Sequence, residues 1–111
     1  DLYCSTDFGH QVLKRTLYQR SLNSTTVAGN GTAGSLSWML NQPRGIFVDV
    51  DFSLYVADCS NDRIQFFPPG IRNGTTLLDN KTHGLNCPSG VILDADGYLY
   101  IVDGDRHRVL A

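Results

Sequence analysis

The chain contains the same sequence pattern twice, 45 residues apart. LNQPRGIFVD at residues 40–49 returns as LNCPSGVILD at residues 85–94, and LYVAD at 54–58 returns as LYIVD at 99–103. A weaker third copy, DLYC, occupies residues 1–4. A period of about 45 residues fits one four-stranded propeller blade, a unit that buries its faces against its neighbours. A residue that recurs at one repeat position is therefore interpreted first as structural.

Each copy predicts strands of an antiparallel meander, and no segment has a convincing helical period. An apolar run after a Pro/Gly turn is typical of a first strand, and Asp96-Gly97 in the last copy is a strong hairpin signal. The predicted strands are 45–50 (first), 54–58 and 99–103 (second), 63–67 and 108–110 (third), and 24–28 and 74–78 (fourth). The fold class is therefore all-β, with about two to three antiparallel four-stranded blades present. Residues 1–39 form a partial blade (strands two to four) with a connecting loop, 40–84 a complete blade, and 85–111 a partial blade (strands one to three).

Charge and hydropathy exclude several function classes. The 111 residues carry a net charge of −2 without a Lys/Arg cluster, which argues against a nucleic-acid or anionic-membrane surface. No apolar run reaches the roughly 18 residues that a membrane span needs. The sequence starts with Asp and shows no signal peptide, so we expect a mature product or an excised piece.

Four of the seven asparagines lie in Asn-x-Ser/Thr sequons, which predicts an extracellular glycoprotein. Asn23 and Asn73 are 50 residues apart, as are Asn30 and Asn80, so both pairs occupy matching repeat positions. They bracket the predicted fourth strands, which are outermost in a blade, and N-linked glycans there would shield exposed strand edges. The alternative is that Asn-Gly-Thr merely forms good turns.

The motifs Leu-x-x-Pro-x-Gly, Leu-Tyr-Val-Ala-Asp and Asn61-x-Arg63-Ile64-Gln65-x-Phe67 closely resemble the NHL repeat. Across nearly the whole chain, the sequence is similar to NHL-containing extracellular proteins of small invertebrates. The resemblance implies a β-propeller, usually six-bladed, that presents a protein-, RNA- or glycan-binding surface. The first copy departs from the pattern, with Thr6 at the position of Asp58 and Gln11 at that of Arg63. An Asp-to-Arg contact is therefore expected in the other blades and is in doubt in the first.

Two histidines share one repeat position and are candidates for metal binding. His10 and His107 fall where the middle copy has Asp62, and one propeller lyase related to this family uses zinc. Residues at one repeat position are a blade apart, however, whereas zinc ligands must lie within about 2.0–2.2 Å of a common centre. We therefore expect no metal site and no cofactor.

No catalytic arrangement is expected either. Asp49, Asp51, Asp94 and Asp96 look like carboxylate pairs, but they flank a hairpin turn in both copies, and Asx turns explain them. No Ser-His-Asp or Cys-His set recurs. Trp38, in a loop without a repeat counterpart, is the better candidate for a partner contact.

The three cysteines predict one disulfide, between Cys59 and Cys87. Cys59 follows a second strand and Cys87 lies in the connection into the next blade, and a four-stranded meander places both connections on one face. A secretory context permits oxidation, and closing this loop is worth about 3–4 kcal/mol. Cys4 occupies the strand position of Val56, so we expect a buried thiol or a bond to something outside the chain.

Three blades would leave two apolar blade faces exposed, so the chain should not exist as an isolated monomer. Its partners would be further blades from a longer chain or from another copy, in a ring or a filament. The sequence thus predicts a secreted structural or protein/glycan interaction module and not an enzyme. The alternative is an extracellular, lyase-like propeller enzyme or metal-binding domain whose active residues lie partly outside this segment. RNA binding is disfavoured by the charge.

Overall fold

The computed structural model describes residues 2–15 and 24–104, together with the backbone of residues 108–110. Its strands form three antiparallel sheets, which confirms the all-β fold class. The first sheet contains β1 (Leu2–Thr6), β2 (Gln11–Arg15) and β3 (Thr25–Gly29). The second contains β4 (Pro43–Val48), β5 (Leu54–Asp58), β6 (Arg63–Phe67) and β7 (Thr75–Leu78). The third contains β8 (Pro88–Leu93), β9 (Leu99–Asp103) and β10 (Arg108–Leu110).

Each sheet is one blade, with its strands ordered along the chain as a meander. The middle blade has the order β4-β5-β6-β7, whereas the first blade has strands equivalent to the second, third and fourth. The third blade has the equivalents of the first, second and third. Adjacent blades pack face to face, so alternate residues of β5 point to opposite neighbours.

Two hydrophobic cores lie between the blades. Between the first and second blades, Val12 and Ala28 pack against Leu54, Val56 and Phe67. Between the second and third, the residues of the core are Tyr55, Ala57, Ile64, Leu85, Val91 and Ile101. The central strand β5 is buried along its full length because it contributes to both cores. Packing between successive blades is therefore the main source of burial in this fold.

The turns between first and second strands are organised by aspartates. The Asp49 Oδ1 atom accepts hydrogen bonds from the backbone N–H groups of Asp51 and Ser53, at 3.0 and 2.8 Å. Asp94 accepts in the same way from Asp96 and Tyr98, at 3.0 and 2.9 Å. The Asx-turn interpretation of these carboxylates is confirmed. Because the hydrogen bond from Tyr98 N–H favours the charged form, the pKa of Asp94 lies below its ordinary value.

A buried ion pair anchors the loop that enters the middle blade. The Arg63 Nε atom donates to Asp58 Oδ2 at 2.8 Å, and Asp58 is fully buried. The remaining guanidinium N–H groups donate to the carbonyl oxygens of Ser35, Leu36 and Met39. Burial raises the pKa of Asp58, while its hydrogen bonds from Asn41, Asn61 and Arg63 oppose that rise. The predicted Asp-to-Arg contact is thus confirmed in this blade.

Several details differ from the sequence-based expectations. The fourth strands are β3, one residue later than predicted, and β7, one residue shorter. The connection after β7 contains a one-turn helix, α1 (Asn80–His83), because Asp79 caps it by accepting from Thr82 N–H. Residues Cys59–Asn61 form a short 3₁₀ turn. No helix within the described ranges is both long and apolar enough to cross a membrane.

Candidate functional site

The two ends of the blades form two different surfaces. We call the end with the turns at 49–53, 68–70 and 94–98 the hairpin face. The opposite end carries the 3₁₀ turn and the connections into β4 and β8, and we call it the disulfide face. The predicted disulfide between Cys59 and Cys87 is present on it and links the middle blade to the third. The disulfide therefore joins two adjacent blades covalently.

The shared position of His10 and Asp62 connects neighbouring blades. His10 Nδ1 accepts from the backbone N–H of Gln42 at 3.1 Å, and Asp62 Oδ1 accepts from the N–H of Cys87 at 2.8 Å. Gln42 and Cys87 are themselves equivalent, with φ angles of 54° and 50°. The His10 and Asp62 side chains thus each accept a hydrogen bond from the backbone just before the first strand of the next blade.

These hydrogen bonds give His10 and Asp62 a structural role at this repeat position. His107, the third member of the repeat position, lies outside the described residues. Among the residues that the structure describes, no three His, Cys, Asp or Glu side chains are grouped closely enough to hold a metal ion. His83 Nδ1 lies 3.6 Å from the Asp79 carboxylate beside α1.

The sequons that the structure describes lie on the surface at the ends of outer strands. Asn30 directly follows β3, Asn73 precedes β7 and Asn80 follows it, and all three residues are exposed. Asn30 Oδ1 accepts from Thr32 N–H within its own sequon at 3.0 Å. The fourth sequon asparagine, Asn23, lies outside the described residues. All three sequon asparagines reach the surface, but the Asn80 Nδ2 atom donates to the Leu85 carbonyl oxygen at 2.7 Å.

The outward faces of the first and third blades are exposed. Leu2 is 51% exposed, and Cys4 is an exposed free thiol, although its repeat equivalents Val56 and Ile101 are both fully buried. The expectation of a buried Cys4 thiol is therefore wrong for the three sheets described, because none of them covers the side of β1 on which Cys4 lies. A bond from Cys4 to something outside the chain remains a prediction.

The third blade has the complementary exposure. Ile92 is 56% exposed and Val102 is 44% exposed, whereas Ala57, the equivalent of Val102, is fully buried. The two outward surfaces, here called the open faces, are represented by Leu2 and Cys4 on the first blade and by Ile92 and Val102 on the third. The open faces expose apolar residues to water. The same repeat positions are buried where two blades of this chain pack together.

A cleft of about 280 Å³ opens on the hairpin face between the first and second blades. The first blade contributes Tyr3, Lys14 and Val27, and the second contributes Phe52, Phe67 and Pro68. Phe52 is 66% exposed, whereas Phe67 forms a buried wall. We call this site the Phe52 cleft. It combines aromatic and prolyl surfaces with the ammonium group of Lys14, and none of the lining residues within 2–15 and 24–104 is acidic.

The corresponding region between the second and third blades is filled by aromatic rings. The register that places Lys14 opposite Tyr3 places Phe66 opposite Tyr55. The Tyr55 and Phe66 ring centroids are 5.0 Å apart, and Phe47 lies on the other side of Tyr55 at 6.1 Å. Phe66 is therefore partly buried in this stack. Burial also raises the pKa of Tyr55.

A second cleft of about 560 Å³ separates the two turns of the hairpin face. It is lined by carboxylates, including Asp49, Asp51 and Asp94, and by Val50, which is 93% exposed. Asp49 and Asp94 are engaged in the turns themselves. The hairpin face therefore carries two clefts. The Phe52 cleft is lined by aromatic residues and Lys14, and the larger second cleft is lined by three aspartates.

The loop that precedes the middle blade presents Trp38 to solvent. Arg63 holds the carbonyl groups on both sides of this residue, and Trp38 is 44% exposed. The adjacent Ser37 hydroxyl donates to Asn73 Oδ1 at 3.2 Å. Trp38 thus lies on an anchored loop beside a sequon, as a partner contact would require.

Sequence reasoning missed the Phe52 cleft, although the repeat contained its signal. Lys14 occupies the place of Phe66, and Phe52 occupies the place of Gly97. Each departure is visible when the copies are compared position by position. Their convergence on one cleft depends on how the first and second blades pack, which the sequence does not give.

No protein family and no curated protein match the sequence significantly. The fold is similar to two solved structures of auxiliary nutrient binding proteins, from Bacteroides ovatus (TM-score 0.76, 18% identity) and Bacteroides thetaiotaomicron (TM-score 0.77, 16% identity). Each alignment covers 96% of this chain but 33% of the other, so the chain spans about a third of these neighbours. At such identities the likeness establishes the fold alone.

Proposed function

We propose that this chain is an NHL-type propeller segment of a secreted glycoprotein and acts as a structural or interaction module rather than as an enzyme. The observation that carries the proposal is the pair of open faces. Val102 is 44% exposed where its equivalent Ala57 is fully buried, and Cys4 is exposed where Val56 is fully buried. Contiguous apolar surface of this kind usually marks an interface.

The partners that fit the open faces are further blades, from the same chain or from another copy. A blade packed face to face on the first sheet would cover Leu2 and Cys4 as the first blade covers Leu54 and Val56. A blade beyond the third sheet would cover Ile92 and Val102. Such a partner removes the exposed apolar faces without changing the three existing sheets.

An extracellular location is supported by two independent features. A disulfide joins two blades, and disulfides persist mainly in oxidising compartments. Three sequons are exposed at the ends of outer strands. The names of the similar structures refer to nutrient binding, which supports a binding role over a catalytic one.

The experiment compares open-face and control substitutions in the glycosylated protein by light scattering. The wild-type chain of 111 residues should have a mass above that of a monomer, and Ile92→Asp should dissociate it, because a charge would be buried in the interface. Val50→Asp is the matched control, since Val50 is 93% exposed on the hairpin face. A stable, compact monomer of the wild-type chain, or equal effects of both variants, would refute the proposal.

A further inference from the structure

We propose that the Phe52 cleft binds a small molecule that carries one carboxylate on an aromatic or branched aliphatic body. The cleft lies between the first and second blades, and its described lining residues all belong to this chain. Its volume of about 280 Å³ is at the lower end for small-molecule sites, which are mostly apolar with a few placed polar groups. That size suits a small ligand.

The first argument is the backbone conformation of Phe52. Phe52 has a φ angle of 65°, and its N–H donates to Asp49 O, as the N–H of Gly97 donates to Asp94 O in the next repeat. Gly97 has a φ angle of 88°, so this turn position requires left-handed backbone, which glycine adopts without steric cost. A bulky residue there is a genuine outlier.

Among the described residues, Phe52 belongs to neither of the two hydrophobic cores. Phe52 is 66% exposed, so it gains little from burial in the protein. Strained residues persist where the strain serves a site, and the observed outlier is the proper starting point for that inference. The ring instead supplies one wall of the cleft, opposite the buried Phe67. We therefore assign Phe52 to ligand contact.

The second argument is the replacement of an aromatic ring by a cation. In the next interface, Phe66 packs on Tyr55 with ring centroids 5.0 Å apart. In this interface Lys14 stands opposite Tyr3 instead, and both residues line the cleft. Both departures from the repeat, at Lys14 and at Phe52, thus line one cavity.

The lining chemistry selects the ligand class. Phe52, Phe67 and Pro68 offer flat apolar surfaces for the body of the ligand. Lys14 offers an ammonium group, and its three donors allow it to bind a ligand carboxylate in addition to contacts within the protein. None of the lining residues that the structure describes is acidic. The acidic second cleft disfavours the same ligand.

The test uses 3-phenylpropionate and 4-methylpentanoate as probes, with 3-phenylpropionamide as the neutral control. Binding to the glycosylated full chain is measured by isothermal titration calorimetry and by saturation-transfer NMR. We expect at least one carboxylate to bind and the amide to bind about tenfold more weakly or not at all. If neither carboxylate binds, or if the amide binds as tightly as its acid, the proposal is overturned.

Two variants locate the site, and the first of them is copied from the neighbouring repeat. Phe52→Gly restores the residue of the next turn and should abolish binding with an unchanged or higher melting temperature. Lys14→Gln should remove the preference for the carboxylate over the amide while leaving some binding of both. Full binding by folded Phe52→Gly would contradict the assignment. The melting temperature and the Lys14→Gln result separate a lost site from a lost fold, and neither depends on the oligomeric state.

Discussion

Removal of the Cys59–Cys87 disulfide should destabilise the protein by an amount that depends on the length of the loop that the bridge closes. The bridge closes a loop across 28 positions. The chain-entropy relation gives about 12 cal/mol/K for this loop, or about 3.6 kcal/mol at 25 °C. For a domain of this size such a loss lowers the melting temperature by about 15 °C.

The assay is urea unfolding of the Cys59→Ser/Cys87→Ser double variant at fixed protein concentration, followed by circular dichroism. Concentration is held constant because association with further blades would itself add stability. Cys4→Ser is the control, since its exposed thiol is unpaired within the chain and should change stability little. Dithiothreitol should reproduce the loss in the Cys4→Ser control and have no effect on a variant that lacks all three cysteines.

A small effect would refute this reasoning. The loop is also held by the hydrogen bond from Cys87 N–H to Asp62 Oδ1, at 2.8 Å. If the double variant lost less than about 1 kcal/mol, the range of one ordinary hydrogen bond, the noncovalent contacts alone would fix the blade entry. The disulfide would then be redundant for stability.

Three further predictions concern single side chains. Arg63→Met should destabilise the protein by about 3–5 kcal/mol at pH 7 in urea unfolding, because Asp58 would remain buried as an unpaired charge. Asp94 has a lowered pKa, so its stabilising contribution is present above its unfolded-state value of 3.8 and is lost as the pH falls through its folded value. Asp94→Asn should therefore flatten the stability curve below neutral pH, and equal acid sensitivity of variant and wild type would contradict this. Asn30→Gln should lower the intact mass of the secreted protein by one glycan, and an unchanged mass would show that this exposed sequon is not used.

The repeat made much of the fold predictable from sequence. Strands that recur with fixed spacing can pair only with their neighbours in a meander, so the order of strands followed from their order in the chain. The roles of Asp49 and Asp94 followed from their common place at a hairpin. The Cys59–Cys87 pairing followed because the meander puts both connections on one face.

Other features depend on which surfaces a neighbour covers. Cys4 was expected to be buried because Val56 is its equivalent, but burial at this position comes from the preceding blade and not from the residue. Alternation along a strand with one solvated face would expose either Phe66 or Phe67, yet in a blade both faces meet a neighbour and neither ring is fully exposed. The Phe52 cleft arises from two departures on different blades, which only their packing brings together.

The most direct test of the central claim is the reactivity of the Cys4 thiol in the native glycosylated protein. Cys4 lies on an open face that we propose is covered by another blade. Maleimide labelling should therefore be slow in the native protein and rapid after denaturation with the Cys59–Cys87 bridge intact. A disulfide from Cys4 to another chain would protect it equally and would appear as added mass without reductant. Native labelling as fast as that of the unfolded chain would show that the face is open to solvent and would contradict the account.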